Sequence, residues 1–491
     1  MGKVKHMTGE EYIESLKKLR PEVWMRGEKV ERVWENPYFR PGINSVKATY
    51  DAYFDPELRN LVRVRSSFVG EEVSMYVHVP ESMEDLFKRA KLTRSMSSRY
   101  MCVMRCLTSD VLRAFLMASY EIDRAKGTNY HERVREYVKY VQENDLTVAV
   151  AMTDVKGDRS LRPKDQPDKD MYLRIVEERK DGIVVRGAKA NITGVTYAHE
   201  VAVLPTRVIG TDEREYAVAF AIPVDTKGIK YIARPTDIPR EERKIEAPAR
   251  SRSGHVEHLV IFDDVFVPME RVFMKGEAEF TSTLVLGFAS EHRHTKCACK
   301  AGQYDIAIGA AALMADMNGL LGASHIRGRL YIREKIIDII LAAEIGYACC
   351  LAAAVRGRKH PSGVFQPDYL TVNVGKYLAS HAEGECIRIL HDIGGGPIVT
   401  MPTEADIKNP EVGPYILKYF QGRKGVPAEH RIRTLKLLED LVASAYGGWL
   451  AGLSINAAGS PMAERIEVWR NYDLREAMKL ARRWAGIPEE K

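Results

Sequence analysis

A short run of metal-binding side chains constrains this chain more than any other feature. Glu291-His-Arg-His-Thr-Lys-Cys-Ala-Cys-Lys-Ala-Gly302 places two histidines and two cysteines within eight positions, at the start of a predicted helix. Because a step of seven residues returns to the same helix face within about 20°, His292, Lys296 and Cys299 are predicted to share one face. Cys297 points roughly 140° away from His292. The helix geometry therefore selects Cys299 over Cys297 as the partner of His292.

A second cysteine pair lies far upstream, in Ser98-Arg-Tyr-Met-Cys-Val-Met-Arg-Cys-Leu107. The spacing of Cys102 and Cys106 is slightly more than one helical turn, so both thiols are predicted to lie on one face of a helix. With His292 and Cys299 they could close a single metal site between two helices. A C-x3-C pair alone is weak evidence for such a site, and the downstream stretch gives it weight.

The cysteine content and the N-terminal sequence indicate a reducing environment. The chain has seven cysteines, and residues 1–18 are charged and lack the apolar segment of an export signal. This combination argues against a disulfide framework and for free thiols, metal binding or catalysis in a cytoplasmic protein. Cys349, Cys350 and Cys386 stand in apolar or helical surroundings and are predicted to be buried small hydrophobic residues.

Composition excludes several classes of protein. With 491 residues and 45% hydrophobic content, the chain is long enough for two or three globular domains. The net charge of +6 suits a polyanionic small substrate such as a coenzyme A ester, or only keeps the protein soluble. Long Lys/Arg runs typical of nucleic-acid binding are absent from the sequence. The most apolar stretch, 336–355, contains two acidic residues and predicts a buried helix rather than a membrane span.

The hydrophobic pattern divides the chain into a helical, a β and a second helical segment. Residues 1–145 are predicted to form an N-terminal helical domain, with an extended loop at 30–60. Residues 146–278 contain short alternating runs and predict a compact antiparallel β domain, in which Asp181-Gly182 forms a hairpin turn. Residues 279–491 are predicted to be helical almost throughout.

Three glycine-containing segments are candidate ligand loops. Thr153-Asp-Val-Lys-Gly-Asp-Arg-Ser160 follows a predicted strand and offers backbone N–H groups and two cations to a phosphate or an electron-rich ring. The alternative is an ordinary charged turn. Residues 187–194 are predicted to form a second such loop. Asp392-Ile-Gly-Gly-Gly-Pro397 either lets the backbone approach a ligand closely or only caps a helix.

Several motifs together resemble one known family over nearly the whole chain. They are Thr153–Ser160, Ala-Lys-Ala-x-x-Thr-Gly at 188–194, Phe262-Asp-Asp-Val-Phe-Val-Pro268, the His-Arg…Cys-Lys-x-Gly stretch at 292–302, residues 394–406 and Ala458-Gly-Ser-Pro461. Their order resembles the 4-hydroxyphenylacetate 3-hydroxylase / 4-hydroxybutyryl-CoA dehydratase family. The resemblance implies an acyl-CoA-dehydrogenase-like α+β fold that ends in a C-terminal four-helix bundle. It also implies a homotetramer that binds flavin near its subunit interfaces.

The family has two chemical branches. Hydroxylases use reduced flavin and oxygen on phenols. Dehydratases hold FAD and a [4Fe-4S] cluster, the latter by a C-x3-C pair followed by H-x6-C. Cys102, Cys106, His292 and Cys299 match this ligand spacing residue by residue. Zinc in a Cys3His site is the alternative on ligand type alone, and it is disfavoured because nothing here resembles a zinc knuckle.

The dehydratase branch implies a demanding reaction. It is the FAD- and [4Fe-4S]-dependent dehydration of 4-hydroxybutyryl-CoA to crotonyl-CoA by a radical mechanism, with vinylacetyl-CoA Δ-isomerase activity. The leaving hydroxyl is on the γ carbon and the β proton is unactivated, so ordinary elimination next to the thioester is unavailable. Cluster iron would take the hydroxyl as a Lewis acid. The alternatives are an aromatic hydroxylase, a dehydratase of another hydroxyacyl-CoA, and a non-catalytic Cys3His metal protein.

Three residues are candidates for catalysis. His292 is a candidate base while displaced from iron, and a purely structural ligand role is the alternative. Glu257 matches a carboxylate near the substrate of dehydratases, although a surface role fits the local sequence equally. Lys296 stands where the family pattern has a tyrosine, and Leu453 where it has a glutamate. Lys296 could donate a proton, pair with an anionic intermediate, or balance the charge of a nearby acid or of the cluster thiolates.

The resemblance also implies a set of flavin contacts. Thr193 matches a threonine placed against the flavin ring, for which an ordinary turn threonine is the alternative. The full predicted cofactor-binding set is Thr153, Asp154, Lys156, Gly157, Asp158, Arg159, Thr193, Gly394, Gly395, Gly396, Gly459 and Ser460.

Overall fold

The computed structural model describes residues 4–236, 245–321 and 330–488, and the elements named below lie within these ranges. The helices are α1 (Gly9–Leu16), α2 (Arg40–Asp51), α3 (Arg59–Val62), α4 (Met83–Tyr100), α5 (Cys106–Lys126), α6 (Tyr130–Glu143), α7 (Arg250–Ser253), α8 (Thr281–Met317), α9 (Leu330–Val355), α10 (Tyr369–Gly394), α11 (Pro397–Thr400), α12 (Glu404–Lys408), α13 (Gly413–Tyr419), α14 (Ala428–Val442), α15 (Ala445–Asn456), α16 (Pro461–Asn471) and α17 (Leu474–Trp484). The strands are β1 (Glu22–Met25), β2 (Glu28–Lys29), β3 (Arg63–Arg65), β4 (Glu72–Ser74), β5 (Val148–Ala151), β6 (Arg174–Glu178), β7 (Gly182–Thr193), β8 (Glu200–Val203), β9 (Val218–Pro223), β10 (Ile229–Pro235), β11 (Val256–Pro268), β12 (Val272–Lys275), β13 (Arg358–Lys359) and β14 (Phe365–Gln366).

The N-terminal region is more varied than its sequence pattern predicts. The extended loop predicted at 30–60 is wrong, because α2 occupies its centre and α3 begins at its end. Pro41 lies in the first turn of α2, where a missing backbone N–H costs no helical hydrogen bond. Strands β1 and β2 join the large sheet of the middle region, so the N-terminal region is not purely helical.

The middle region contains two sheets. One has six strands in the order β2-β1-β10-β11-β7-β6, and the other has four in the order β12-β9-β8-β5. The predicted hairpin at Asp181-Gly182 is confirmed, since β6 and β7 pair antiparallel. The predicted antiparallel domain is wrong at two pairs, because β1 lies parallel to β10 and β5 parallel to β8. Parallel neighbours need long crossovers, which local turn signals do not reveal. The loop predicted at 187–194 is also wrong, because β7 continues through Thr193.

The C-terminal region is built from long helices. Helices α8, α9 and α10 pack against one another, and α4 of the N-terminal region packs along α8. Helix α8 begins at Thr281, so the His/Cys stretch lies in the middle of the helix and not at its start as predicted. Within the described residues after 280, the helical prediction is confirmed apart from short loops and the β13–β14 pair. The likeness to acyl-CoA dehydrogenases and the four-helix count stay predictions.

Helix α9 is not the buried helix that its composition predicts. Leu341 is 51% exposed and Ile345 44% exposed. Of the helices within the described ranges, α9 is the one long and apolar enough to cross a membrane by length and composition, and 28% of its most apolar stretch is buried. The hydropathy of a sequence indicates that a helix face is apolar, but it does not indicate whether residues of the same chain or of another chain bury that face.

A glycine sets the distance between α4 and α8. A Cβ atom at Gly302 would lie 2.9 Å from Ser97 Cβ and closer still to the carbonyl oxygen of Arg94. Arg94 also forms a two-bond ion pair with Asp305 on α8, at 2.8 and 2.9 Å. Gly302 therefore permits the close helix contact on which the next section depends.

We expect Gly302→Ala to lower the free energy of unfolding by about 1–3 kcal/mol, because the added methyl group forces α4 and α8 apart. Gly309 provides a control on the same helix, since a Cβ atom there meets nothing within 4 Å. Gly309→Ala should raise the free energy of unfolding by about 0.5–1 kcal/mol through helix propensity. Urea unfolding followed by circular dichroism measures both, and an equal response of the two variants contradicts the packing argument.

Candidate active site

A break between α4 and α5 positions the upstream cysteines. Met101 ends α4 with a φ of 58°, and residues 101–105 are not helical. The Met101 carbonyl accepts hydrogen bonds from α8, from Cys299 Sγ at 3.7 Å and from Gln303 Nε2 at 2.9 Å. The prediction that Cys102 and Cys106 share one helix face is wrong, because Cys102 lies in this break and Cys106 is the first residue of α5.

The predicted helix face of α8 does meet this break. Cys299 bonds to Met101, and His292 Nδ1 lies 2.8 Å from Asp110 Oδ2 on α5. Cys297 faces the opposite neighbour, since its Sγ lies 3.8 Å from the carbonyl oxygen of Val372 on α10. The structure therefore agrees with the separation of Cys297 from Cys299 that the helix phase predicts.

The three site thiols are buried and lie close enough together to influence one another's pKa; they and their surroundings are called the thiol pocket below. Burial, and next the Cys299 thiol, raise the pKa of Cys102 to about 12, against the opposing effect of Lys296. Burial, Asp110 and the other two thiols also raise the pKa of Cys106 well above its usual value. Because the anions repel one another, the three thiolates can coexist only if cations such as metal ions compensate them.

Among the other four cysteines, Cys350 and Cys386 are buried as predicted and Cys349 only partly. All seven cysteines are free thiols.

Asp110 and two arginines surround His292, and sequence reasoning missed them. Arg89 lies 2.6 Å from Asp110 and Arg113 also pairs with it, and all three side chains are buried. These cations hold the pKa of Asp110 well below its usual range despite burial. Burial lowers the pKa of His292, and the bond to Asp110 opposes this. Charged residues inside the apolar start of α5, one turn after Cys106, were the available signal.

The two ring nitrogens of His292 have different surroundings. Phe288 stacks on the ring at 5.9 Å with an interplanar angle of 8°. Nδ1 is bonded to Asp110, whereas none of the hydrogen bonds among the described residues involves Nε2. Such a carboxylate-bound imidazole is typical of histidines that bind metals through the other nitrogen.

Glu257 is held at the edge of the same pocket. It lies on β11 opposite Thr193 on β7, and the Thr193 hydroxyl donates to both carboxylate oxygens at 2.9 and 3.0 Å. Trp449 Nε1 on α15 donates to Oε1 at 2.8 Å. Burial raises the pKa of Glu257, and these two donors oppose the shift. Its charge also reaches Cys102, so Glu257 is not the surface residue that the local sequence allowed.

Lys296 is a buried cation without a partner. Its side chain is 4% exposed, and within the described residues it forms no hydrogen bond or ion pair. It is close enough to Cys102 and His292 to lower the pKa of each. One turn later, Lys300 is also buried but is paired with Glu383 at 2.5 Å. Its ammonium also donates to the hydroxyl of Ser454, the neighbour of the half-buried Leu453, at 2.8 Å.

The residues present fit an iron–sulfur cluster by donor type. Three buried thiols and a free imidazole nitrogen match the ligands of such a cluster. Among the described residues no group of three or more His, Cys, Asp or Glu side chains lies close enough to hold one metal ion. Each ligand of a four-iron cluster binds a different iron, so such ligands stand farther apart than those of a single metal ion. The cluster stays a prediction.

The loop at 153–160 is partly structural. Asp154 is buried in an ion pair with Lys189 at 2.7 Å, so its carboxylate is not directed at a ligand. Lys156 has a φ of 76°, and burial and the charge of Arg159 lower its pKa. Within the described residues, Lys156 and Arg159 form no ion pair and remain candidates for a phosphate. Lys189 lies four positions before Thr193 on β7, which separates the loop from Glu257 by roughly 13 Å.

The remaining predicted loop residues have mixed surroundings. Gly157 has a φ of 49°, and Asp158 Oδ1 accepts from the backbone N–H of Ser160 at 2.9 Å. Thr153 accepts from the backbone N–H of Ala190 at 2.7 Å through its own carbonyl. These bonds shape the loop and leave its cations free.

The C-terminal glycines fall into two groups. Gly394, Gly395 and Gly396 lie at the far end of α10, roughly 27 Å along the helix from Lys376, which lies near Lys296. They are therefore remote from the thiol pocket of their own subunit. Gly459 instead packs against α8 on the side that faces α10, because a Cβ atom there would lie 2.7 Å from a terminal nitrogen of Arg293, which donates to Asn373 on α10. The exposed Ser460 caps α16 by accepting from the backbone N–H of Ala463.

The chain is similar to known proteins over nearly its whole length. Residues 8–274 match the family model of the 4-hydroxyphenylacetate 3-hydroxylase N-terminal domain, and residues 281–486 match that of the C-terminal domain. A 4-hydroxybutyryl-CoA dehydratase/vinylacetyl-CoA-Δ-isomerase of Clostridium aminobutyricum is 39% identical, over 98% of this chain and 99% of the relative. The chain belongs to the 4-hydroxyphenylacetate 3-hydroxylase / 4-hydroxybutyryl-CoA dehydratase family.

Both branches of the family are among its relatives. The oxygenase component of 4-hydroxyphenylacetate 3-monooxygenase from Thermus thermophilus is 31% identical, over 90% of this chain and 89% of the relative. A solved oxygen-tolerant archaeal 4-hydroxybutyryl-CoA dehydratase from N. maritimus has 37% identity and a TM-score of 0.92, covering 99% of this chain and 96% of that one. An oxygenase component complexed with FAD has 28% identity and a TM-score of 0.88, covering 97% and 98%.

The unpaired charge of Lys296 has a measurable cost. In iron-free protein, Lys296→Met should raise the free energy of unfolding by about 1–4 kcal/mol, because it removes a buried cation without breaking an ion pair. Lys300→Met is the matched control one turn away, and it should lower the free energy by about 3–5 kcal/mol because Glu383 loses its partner. Thermal unfolding of both variants tests this. A destabilised Lys296→Met variant would show that Lys296 has a partner in the iron-free state.

Proposed function

We propose that this protein is an FAD- and [4Fe-4S]-dependent dehydratase that converts 4-hydroxybutyryl-CoA to crotonyl-CoA and isomerises vinylacetyl-CoA. The observation that carries the proposal is that Cys102, Cys106 and Cys299 are buried close to one another, and that Asp110, which lies near Cys106, is hydrogen-bonded to Nδ1 of His292. The 39% identity to a dehydratase/isomerase over nearly the full chain supports the substrate class. Relatives in the hydroxylase branch, including one complexed with FAD, support the flavin.

The pocket residues divide into ligands and proton carriers. Cys102, Cys106, Cys299 and His292 would hold the cluster, and the loop at 153–160 and Thr193 would contact the flavin. When bound, the two groups supply a Lewis-acidic iron for the hydroxyl and a one-electron acceptor for the radical mechanism. The side chains of the protein must accept and donate the protons of the reaction.

The overall reaction defines the proton traffic. Dehydration of 4-hydroxybutyryl-CoA removes one proton from Cα and one from Cβ. One proton returns to Cγ, and the other leaves with the hydroxyl as water. The site therefore needs several groups that can hold a proton within reach of a four-carbon chain. His292, Glu257 and Lys296 are such groups, and all three border the thiol pocket.

Each of the three residues has a separate task in this proposal. Burial lowers the pKa of His292 and so favours the neutral ring, in which the lone pair of Nε2 is available to a cluster iron or to a substrate proton. Glu257 exchanges a proton through its carboxylate, in which Trp449 donates to Oε1 and the Thr193 hydroxyl is shared by both oxygens. The ammonium of Lys296 balances negative charge in the loaded pocket and can return a proton. In the family pattern a tyrosine occupies its position.

The two cysteines of α8 provide a matched test of this function. Cys299→Ser should abolish dehydration of 4-hydroxybutyryl-CoA, by roughly 100-fold or more, because it removes a cluster ligand. Cys297→Ser changes the same atom two residues away on the face that packs against α10, and it should keep activity. Anaerobic assays of crotonyl-CoA formation measure both variants. Equal loss in the two variants contradicts the assignment.

A parallel assay separates the two branches of the family. The same preparations should fail to hydroxylate 4-hydroxyphenylacetate when supplied with reduced flavin and oxygen. Hydroxylation by wild type and by Cys299→Ser alike, without dehydration, would assign the protein to the hydroxylase branch.

We also propose that the protein is a homotetramer in which α9 is covered by another subunit. The exposed apolar side chains of α9 form a face that its own chain leaves uncovered. Such faces mark interaction sites. Gly394–Gly396 at the far end of α10 are too far from the thiol pocket of their own subunit to contact a flavin bound there. In the assembly they would contact a flavin bound near a subunit interface.

Leu341, 51% exposed on α9, tests the assembly. Leu341→Lys should produce smaller particles in light scattering after gel filtration, because a charge is desolvated at the interface. Leu341→Met keeps the side chain apolar and should leave the particle mass unchanged. A wild-type mass equal to one chain of 55.4 kDa would contradict the proposal.

A further inference from the structure

The carboxylate of Asp110 is divided between two sets of partners. Oδ1 accepts from Arg89 at 2.6 Å, from Arg113, and from the hydroxyl of Thr295 at 3.0 Å. Oδ2 accepts from Nδ1 of His292 at 2.8 Å. The first three partners lie on α4, α5 and α8, so Oδ1 is fixed from three helices. Among the described residues, Oδ2 is bonded only to the imidazole.

This division restricts the state of the imidazole. Arg89 and Arg113 are buried and both pair with Oδ1, and two guanidinium groups on one carboxylate require it to be ionised. An ionised carboxylate can only accept hydrogen bonds, so the nitrogen of His292 that faces it must carry the proton. In the neutral ring the lone pair is then on Nε2. Phe288, stacked on the ring, opposes a flip that would exchange the two nitrogens.

We propose that Asp110 is a positioning residue that selects the Nδ1–H tautomer of His292 and so leaves the lone pair on Nε2 for the proposed cluster. The inference deepens the proposed function and rests on it, because it concerns how His292 is presented to the cluster. It assigns a task to the buried Arg89–Asp110–Arg113 network that the ligand set alone does not explain. Arg89 and Arg113 serve this task by fixing Oδ1.

The arrangement suits a ligand that leaves and returns. If His292 is displaced during turnover, the Nδ1–H···Oδ2 bond keeps the ring at its place while Nε2 is free. The same lone pair then serves the metal in one state and a substrate proton in the other. A histidine held only by its metal bond would lose its orientation on displacement.

Selective isotope labelling tests the proposal in the loaded protein. Histidine labelled with ¹⁵N at either Nδ1 or Nε2 is incorporated, the protein is reduced anaerobically, and pulsed EPR measures the coupling of each nitrogen to the cluster. Wild type should show strong coupling from Nε2 only. Thr295→Val removes a bond to Oδ1 and leaves Oδ2 untouched, so it should match wild type.

Asp110→Asn should lose at least half of the Nε2 coupling, because an amide can donate as well as accept and no longer selects the tautomer. Its removal of a buried charge between two arginines also threatens folding. Asp110→Glu keeps the charge and moves the carboxylate by one methylene, and it should weaken the Nε2 coupling to an intermediate value. This second variant decides the question if the first does not fold.

The outcomes separate the two levels of the proposal. Wild-type coupling from Nδ1, or unchanged Nε2 coupling in Asp110→Glu and in any folded Asp110→Asn protein, overturns the role of Asp110 while leaving the cluster in place. Wild-type protein that takes up no iron overturns the proposed function and this inference with it.

Discussion

The contact between the α4–α5 break and the middle of α8 is the constraint on which the rest of the structure depends. Gly302 lets the helices approach, and the ion pair of Arg94 with Asp305 fixes their register. The left-handed residue Met101 turns its carbonyl toward Cys299. Without this contact the two halves of the thiol set, far apart in sequence, would not meet.

Around this contact the protein buries an unusual amount of charge. Asp110 and Glu291 pair with the buried Arg89 and Arg113, whereas Lys296 forms no ion pair within the described residues. Removing charges from water costs several kcal/mol each unless partners compensate. The charges of the arginines and carboxylates balance one another within the protein. The charge of Lys296 would be balanced by a negatively charged ligand. A buried charge that the protein itself does not balance is expected at a binding site, because it lowers the stability of the unloaded protein.

How much of this arrangement the sequence predicts depends on the range of each signal. The phase of one helix correctly separates Cys297 from Cys299, because that relation is fixed within two turns. The local structure at Cys102 escapes prediction, since a strained residue at 101 interrupts an otherwise helical pattern. Asp110 is missed because its role depends on a partner 182 residues away. The apolar face of α9 is recognised, but which chain covers it is not encoded locally.

The central claim is that the buried thiols and the Nε2 of His292 hold a four-iron cluster beside a flavin. The most direct measurement is the iron, acid-labile sulfide and flavin content of anaerobically purified protein, together with its visible spectrum. The account predicts about four irons, four sulfides and one FAD per chain. One FAD per chain without iron or sulfide, also after anaerobic reconstitution, would contradict it.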